Sequence, residues 1–123
     1  MVSDGLILVV DDDQDLLENT AFMIETMGYQ VITASDGVEA VEIYKSGKPS
    51  LTFMDVKMPR QDGFEAFFKI KSFDPEAKVV LITAYHIDEK KFLKAKSMDL
   101  LESIQKPYDM DKLEETIKKY ITS

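Results

Sequence analysis

A chain of 123 residues and 14.0 kDa has room for one packed domain, and its 45% hydrophobic and 31% charged residues place it outside the composition of disordered chains. Fifteen Lys and Arg against 23 Asp and Glu leave a net charge of -8, which argues against a sequence-independent grip on nucleic acid or anionic lipid and suits a cation. Cysteine is absent, which excludes a disulfide framework, a thiolate metal site and a cysteine nucleophile.

Short β-branched runs alternate with longer segments of helical period, the pattern of a parallel sheet covered on both faces by helices. The first strand, Leu6-Ile7-Leu8-Val9-Val10, shows no polar alternation. Asp11-Asp12-Asp13 follow, then a helix from Gln14 to Met27 with Leu17, Ala21 and Ile24 at core-facing spacing and Gly28 at its end. Gln30 to Ala34 is a second strand. Asp36 with Glu39 forms a capping pair for a helix carrying Val38, Val41 and Tyr44, which Gly47 and Pro49 stop. Leu51 to Met54 is a third strand ending at Asp55. A loop with Pro59 and Gly63 leads into a helix bearing Phe64, Phe67 and Ile70. Lys78 to Ile82 is the fourth strand, Asp88 caps a helix reaching about Ser97, and Glu102 to Gln105 is a weaker fifth strand. Pro107 breaks the chain before a last helix, capped by Asp109, with Met110, Leu113, Ile117 and Tyr120 on one stripe.

Five strand–helix units joined by right-handed crossovers predict an α/β fold, a doubly wound five-stranded parallel sheet with five helices on both faces. Residues 1–123 are expected to form one domain. Ligands in such sheets bind beyond the carboxyl ends of the strands, where the winding reverses, so function is expected in the loops after the strands. No apolar run approaches the roughly 20 residues of a membrane helix and the N-terminus lacks a signal-like segment, which points to a cytoplasmic setting.

The strand ends carry Asp11, Asp12 and Asp13, then Asp55, then Thr83 with Ala84, then Lys106. Carboxylates converging in one crevice repel one another unless protons or a cation offset them. Oxygen ligands of high charge select a hard divalent cation, and a shallow site suits Mg²⁺ better than an all-protein Ca²⁺ cage. With such an ion in place, one carboxylate can act as a nucleophile toward phosphorus, and Asp55 is the candidate. Lys106 would supply a second positive charge and Thr83 a hydroxyl donor, with Ala84 small enough to keep the site open.

The chain resembles the receiver domain of two-component response regulators in its stretches Leu8-Val9-Val10-Asp11-Asp12-Asp13, Ala34-Ser35-Asp36-Gly37-Val38-Glu39-Ala40, Phe53-Met54-Asp55-Val56-Lys57-Met58-Pro59, Asp62-Gly63, Ile82-Thr83-Ala84 and Lys106-Pro107-Tyr108. The resemblance implies the flavodoxin-like strand order 2-1-3-4-5 for the sheet. It also implies that Asp55 accepts a phosphoryl group from a phosphohistidine on a sensor histidine kinase or histidine phosphotransfer protein. It implies Mg²⁺ held by Asp12 and Asp55 directly, by Asp11 largely through water, and by the backbone carbonyl of Lys57. Thr83 and Lys106 would carry the arrival of the phosphoryl group to an output partner on the face of the fourth helix, fifth strand and fifth helix. Nothing in it implies direct contact with nucleic acid or membrane.

The sequence departs from the family pattern at Ser103, where an aromatic residue usually precedes the lysine by three positions, and at Ser97-Met98, which stand where Gly-Ala is common. A relay by loop movement without an aromatic rotor is therefore expected. Lys57 and Tyr85 flank the approach of an attacking water and are expected to slow loss of the phosphoryl group. Asp13 taken alone reads as a helix cap, His86 as an exposed loop residue, and the seven Met and seven Phe as core filling. Lys90, Lys91, Lys94 and Lys96 read either as a solvated helix face or as a docking patch for an acidic partner.

Other functions fit less well. An Mg²⁺-dependent aspartyl-phosphate phosphohydrolase wants an acid–base carboxylate where Lys57 stands, and a flavin carrier wants a hydroxyl- and glycine-rich loop where three aspartates stand. A receiver-like module that docks without phosphorylation does not call for the full acidic set. The expected chemistry is confined to the protein's own phosphorylation and dephosphorylation. The last helix is followed by no DNA-binding module, which fits either a stand-alone receiver or a piece of a larger regulator.

Overall fold

The computed structural model describes residues 5–58, 61–84 and 88–121. Pro59, Tyr85 and His86, singled out from the sequence, lie outside the described residues. The elements run β1 (Leu6–Val10), α1 (Gln14–Thr26), β2 (Gln30–Ala34), α2 (Gly37–Gly47), β3 (Leu51–Asp55), α3 (Gly63–Phe73), β4 (Val79–Thr83), α4 (Glu89–Ser97), β5 (Glu102–Gln105) and α5 (Met110–Tyr120). The strands are parallel, as expected from the alternation of apolar runs and amphipathic helices, and their order β2-β1-β3-β4-β5 is the one the family resemblance implies.

The absence of polar alternation in the central strands has a direct cause. Ile7 and Val9 of β1 enter one core with Phe53, Val80 and Ile82, closed by Leu17 and Ile24 of α1 and Leu113 and Ile117 of α5. Leu8 and Val10 enter the opposite core with Met54 and Leu81, closed by Tyr44 of α2 and Phe64, Phe67 and Ile70 of α3. Each of the three central strands thus loses water on both faces, the main favourable contribution to folding. None of the helices is long and apolar enough to cross a membrane, among the described residues.

Every helix opens on an aspartate cap whose carboxylate accepts from a backbone N–H in the first turn: Asp13 from Leu16, Asp36 from Glu39, Asp62 from Glu65, Asp88 from Lys91 and Asp109 from Lys112. Gly28 takes φ +100° just past α1, a conformation a β-carbon disfavours. At the end of α2, Gly47 is the last helical residue and lies close against Ile32, and the left-handed conformation falls on Lys48, with φ 45°.

Three expected core positions also shift. Thr20 is fully buried where Ala21 was expected, and Ala40 is buried where Val38 was expected. Met110 is 41% exposed: it stands in the first turn of α5, next to the loop that carries Lys106, and the stripe that reaches the sheet begins one turn later at Leu113.

Candidate metal and phosphoacceptor site

The reversal of winding places β1 beside β3, with Val10 opposite Met54. The next residues in each chain direction, Asp11 and Asp55, are therefore neighbours. On the other side of β3, Asp55 stands opposite Ile82, one residue before Thr83, and Thr83 stands opposite Gln105, one residue before Lys106. Topology alone thus gathers residues 95 positions apart at one edge of the sheet.

Asp11 and Asp55 are 3% and 5% exposed, while Asp12 reaches solvent. Ligand oxygens of the three lie within 4.8 Å of one another. Lys106 Nζ lies 3.3 Å from Asp55 Oδ2 and 3.4 Å from Asp11 Oδ2, and the Lys106 backbone N–H donates to the Thr83 carbonyl at 2.8 Å. Asp11 also accepts from the Asp13 N–H at 2.9 Å, so Asp13 caps α1 as expected while its backbone orients the buried carboxylate. Together Asp11, Asp12, Asp13, Asp55, Val56, Lys57, Ala84 and Lys106 line an open pocket of about 420 Å³.

Burial and the Asp11 charge push the Asp55 carboxyl up to about 6, against the pull of Lys106 and of a hydrogen bond from the Lys57 backbone. Burial works against the charge of Lys106, but the Asp55 and Asp11 carboxylates outweigh it and hold the ammonium above its ordinary range. One lysine therefore leaves this acidic group under-compensated. The hard oxygen donors, their mutual distance and the residual negative charge fit a small divalent cation such as Mg²⁺.

The expected site residues come together, with one refinement. Thr83 is buried at the end of β4 and does not itself line the pocket; the adjacent Ala84 does. Ser103 is exposed on β5, opposite Leu81. Three features escaped the sequence reading. Gly63 opens α3 directly against the end of β3: a β-carbon there would collide with the Asp55 carbonyl oxygen and lie 2.8 Å from Val56 Cα. The Thr20 and Tyr108 hydroxyls meet at 2.8 Å, a pairing hinted at only by a polar residue between Leu17 and Ile24 on the buried stripe of α1. The lysines of α4 largely bind within the molecule: Lys91 pairs with Asp62 at 3.0 Å and Glu65 at 3.8 Å, Lys94 lies 4.3 Å from the Phe68 ring centroid, and Lys96 5.4 Å from that of Phe92.

Comparison with known proteins agrees with this geometry. The family model for the response regulator receiver domain matches residues 7–118. Sporulation initiation phosphotransferase F of Bacillus subtilis (strain 168) is 33% identical over 117 residues, covering 94% of this chain and 92% of that protein. Chemotaxis protein CheY of Treponema pallidum (strain Nichols) is 40% identical over 114 residues, covering 90% and 78%. A CheY-like receiver domain protein from Methanospirillum hungatei JF-1 has a TM-score of 0.89 at 26% identity over 95% of this chain and 93% of that one. The chain belongs to the response regulator receiver domain family, the signalling switches of two-component systems.

Proposed function

We propose that this chain is a phosphorylation-dependent switch whose phosphoacceptor is Asp55, working in the cytoplasm with a sensor histidine kinase or histidine phosphotransfer protein as donor. The observation that carries this reading is the buried Asp55 carboxylate, paired with Lys106 at 3.3 Å and flanked by Asp11 and Asp12 in an open pocket. A carboxylate oxygen of Asp55 attacks phosphorus, the P–N bond to the donor imidazole breaks, and the bonding electrons leave with the imidazole, which takes up a proton. Asp11, Asp12, Asp55 and the backbone carbonyl of Lys57 would hold Mg²⁺, which supplies positive charge to the phosphoryl oxygens. Lys106 would supply a second positive charge to the same oxygens, and the Thr83 hydroxyl would donate to one of them.

Replacing a monoanionic carboxylate by an acyl phosphate of higher charge changes what Lys106 and Thr83 pair with, and so biases the loops after β4 and β5. With Ser103 in place of a ring, the relay runs through these loops to an output partner on the α4–β5–α5 face. Identical amide exchange of α4 and β5 with and without beryllofluoride and Mg²⁺ would refute that relay. The phosphoacceptor assignment is tested by incubating the protein with Mg²⁺ and a small acyl phosphate, followed by intact-mass measurement. The wild type gains one labile phosphoryl group and Asp55→Asn gains none; an unmodified wild type, or a variant modified equally, overturns it.

A further inference from the structure

Lys106 stands on the loop between β5 and α5, and its ammonium is useful only while that loop holds it against Asp55 and Asp11. On the sheet side the loop is secured by the Lys106 N–H to the Thr83 carbonyl at 2.8 Å. On the helix side the contact is Tyr108, two residues further on, whose hydroxyl lies 2.8 Å from the hydroxyl of Thr20. Thr20 is fully buried in the middle of α1, the helix that opens directly after Asp11-Asp12-Asp13. One hydrogen bond therefore ties the loop bearing the cation to the helix anchored at the carboxylates, across 88 residues of sequence. The Tyr108 ring packs against the core that α1 and α5 share, so the hydroxyl pair sits at the end of a constrained side chain. Tyr108 also feels the site: burial, then the Asp11 and Asp55 charges, raise its phenol, while Thr20 and Lys106 oppose them.

We propose that Thr20 and Tyr108 form a positioning pair that fixes Lys106 over Asp55 for phosphoryl transfer. The role rests on the assignment of Asp55 as phosphoacceptor and extends it to two residues that touch neither phosphoryl group nor metal. Tyr108→Phe and Thr20→Val each remove one hydroxyl and keep the shape of the side chain; Thr20→Ser keeps the hydroxyl.

The rate of phosphorylation by acetyl phosphate at saturating Mg²⁺ is measured together with Mg²⁺ affinity and amide exchange at Lys106. Each hydroxyl deletion slows phosphorylation about fivefold, the scale of one hydrogen bond. The double variant is no slower than either single one, Thr20→Ser stays near wild type, and Mg²⁺ affinity is unchanged. In a Lys106→Ala background, Tyr108→Phe has no further effect. Losses that multiply in the double variant, or an equal loss with and without Lys106, overturn the pair. If the wild type takes no phosphoryl group but the Lys106 amide exchanges faster in both deletions, the pair stands as a loop clamp and the phosphoacceptor assignment fails. Wild-type exchange and wild-type rates in both deletions overturn the pair alone.

Discussion

Without metal, the ionised Asp55 carboxylate is a destabilising element, and its removal should strengthen the fold. The carboxyl is buried beside Asp11 and held at about 6, above its ordinary 3.8. Between those values the folded protein keeps a proton that the unfolded chain has released, so stability falls as pH rises through this window and stays low above it. Each pKa unit corresponds to about 1.4 kcal/mol, which sets an upper limit of about 3 kcal/mol for this displacement. The open pocket admits solvent, and its screening reduces the expected effect to about 1 to 2 kcal/mol. Asp55→Asn retains the shape and leaves Lys106 its contact with Asp11 at 3.4 Å. Urea unfolding in EDTA should therefore find the variant more stable than wild type by about 1 to 2 kcal/mol at pH 7.5, with the gap closing as pH falls toward 4. Millimolar Mg²⁺ should stabilise the wild type more than the variant, because the ion binds the folded state alone. A wild type as stable as Asp55→Asn in EDTA at pH 7.5, or a gap that does not shrink in acid, would refute the account of uncompensated charge.

Four further outcomes follow from particular contacts. The Thr52 hydroxyl is buried in β3 with no hydrogen-bond partner among the described residues, so Thr52→Val should raise the urea midpoint, by about 1 kcal/mol in stability; a lower midpoint would mean that the hydroxyl is satisfied. Lys71 is buried and its ammonium donates at 2.9 Å to the carbonyls of both Pro75 and Ala77, so Lys71→Met should destabilise by about 2 kcal/mol, read from the same unfolding curves. Gly63→Ala, ordinarily harmless at a helix start, should cost about 2 kcal/mol and weaken Mg²⁺ binding, because the methyl meets the backbone of Asp55; unchanged Mg²⁺ affinity by titration would contradict this. Lys57 is exposed on the pocket wall; if its side chain crowds an incoming water, phosphate release from phosphorylated Lys57→Ala should be faster than from wild type, and an unchanged rate would remove the crowding idea.

Much of the molecule is written in short-range signals. The unbroken apolar run Leu6 to Val10 requires cover on both faces, and the aspartates at positions 13, 36, 62, 88 and 109 end one element and begin the next through bonds to backbone only three residues away. Alternation of these elements, with the handedness of crossovers, leads to a doubly wound parallel sheet, the family resemblance supplies its strand order, and that order brings Asp11, Asp55, Thr83 and Lys106 to one edge. The site could therefore be read from residue types at strand ends before any distance was known.

Other decisions belong to packing between distant elements, where sequence spacing says little. Gly47 ends α2 as its residue type suggests, yet it packs close against Ile32 and the left-handed turn falls on Lys48. The α4 lysines read from sequence either as a solvated face or as a patch for a partner, and spacing does not show that Asp62, Glu65 and Phe68 of the α3 region engage two of them. Whether Thr20 meets Tyr108 depends on how α1 rotates on the sheet and where the loop after β5 descends, quantities set by the fit of two cores. Local chemistry thus determined the elements and the polar residues at the strand ends, whereas close packing in three dimensions decided which side chains hold one another, because such pairings depend on sub-ångström fit that no spacing rule encodes.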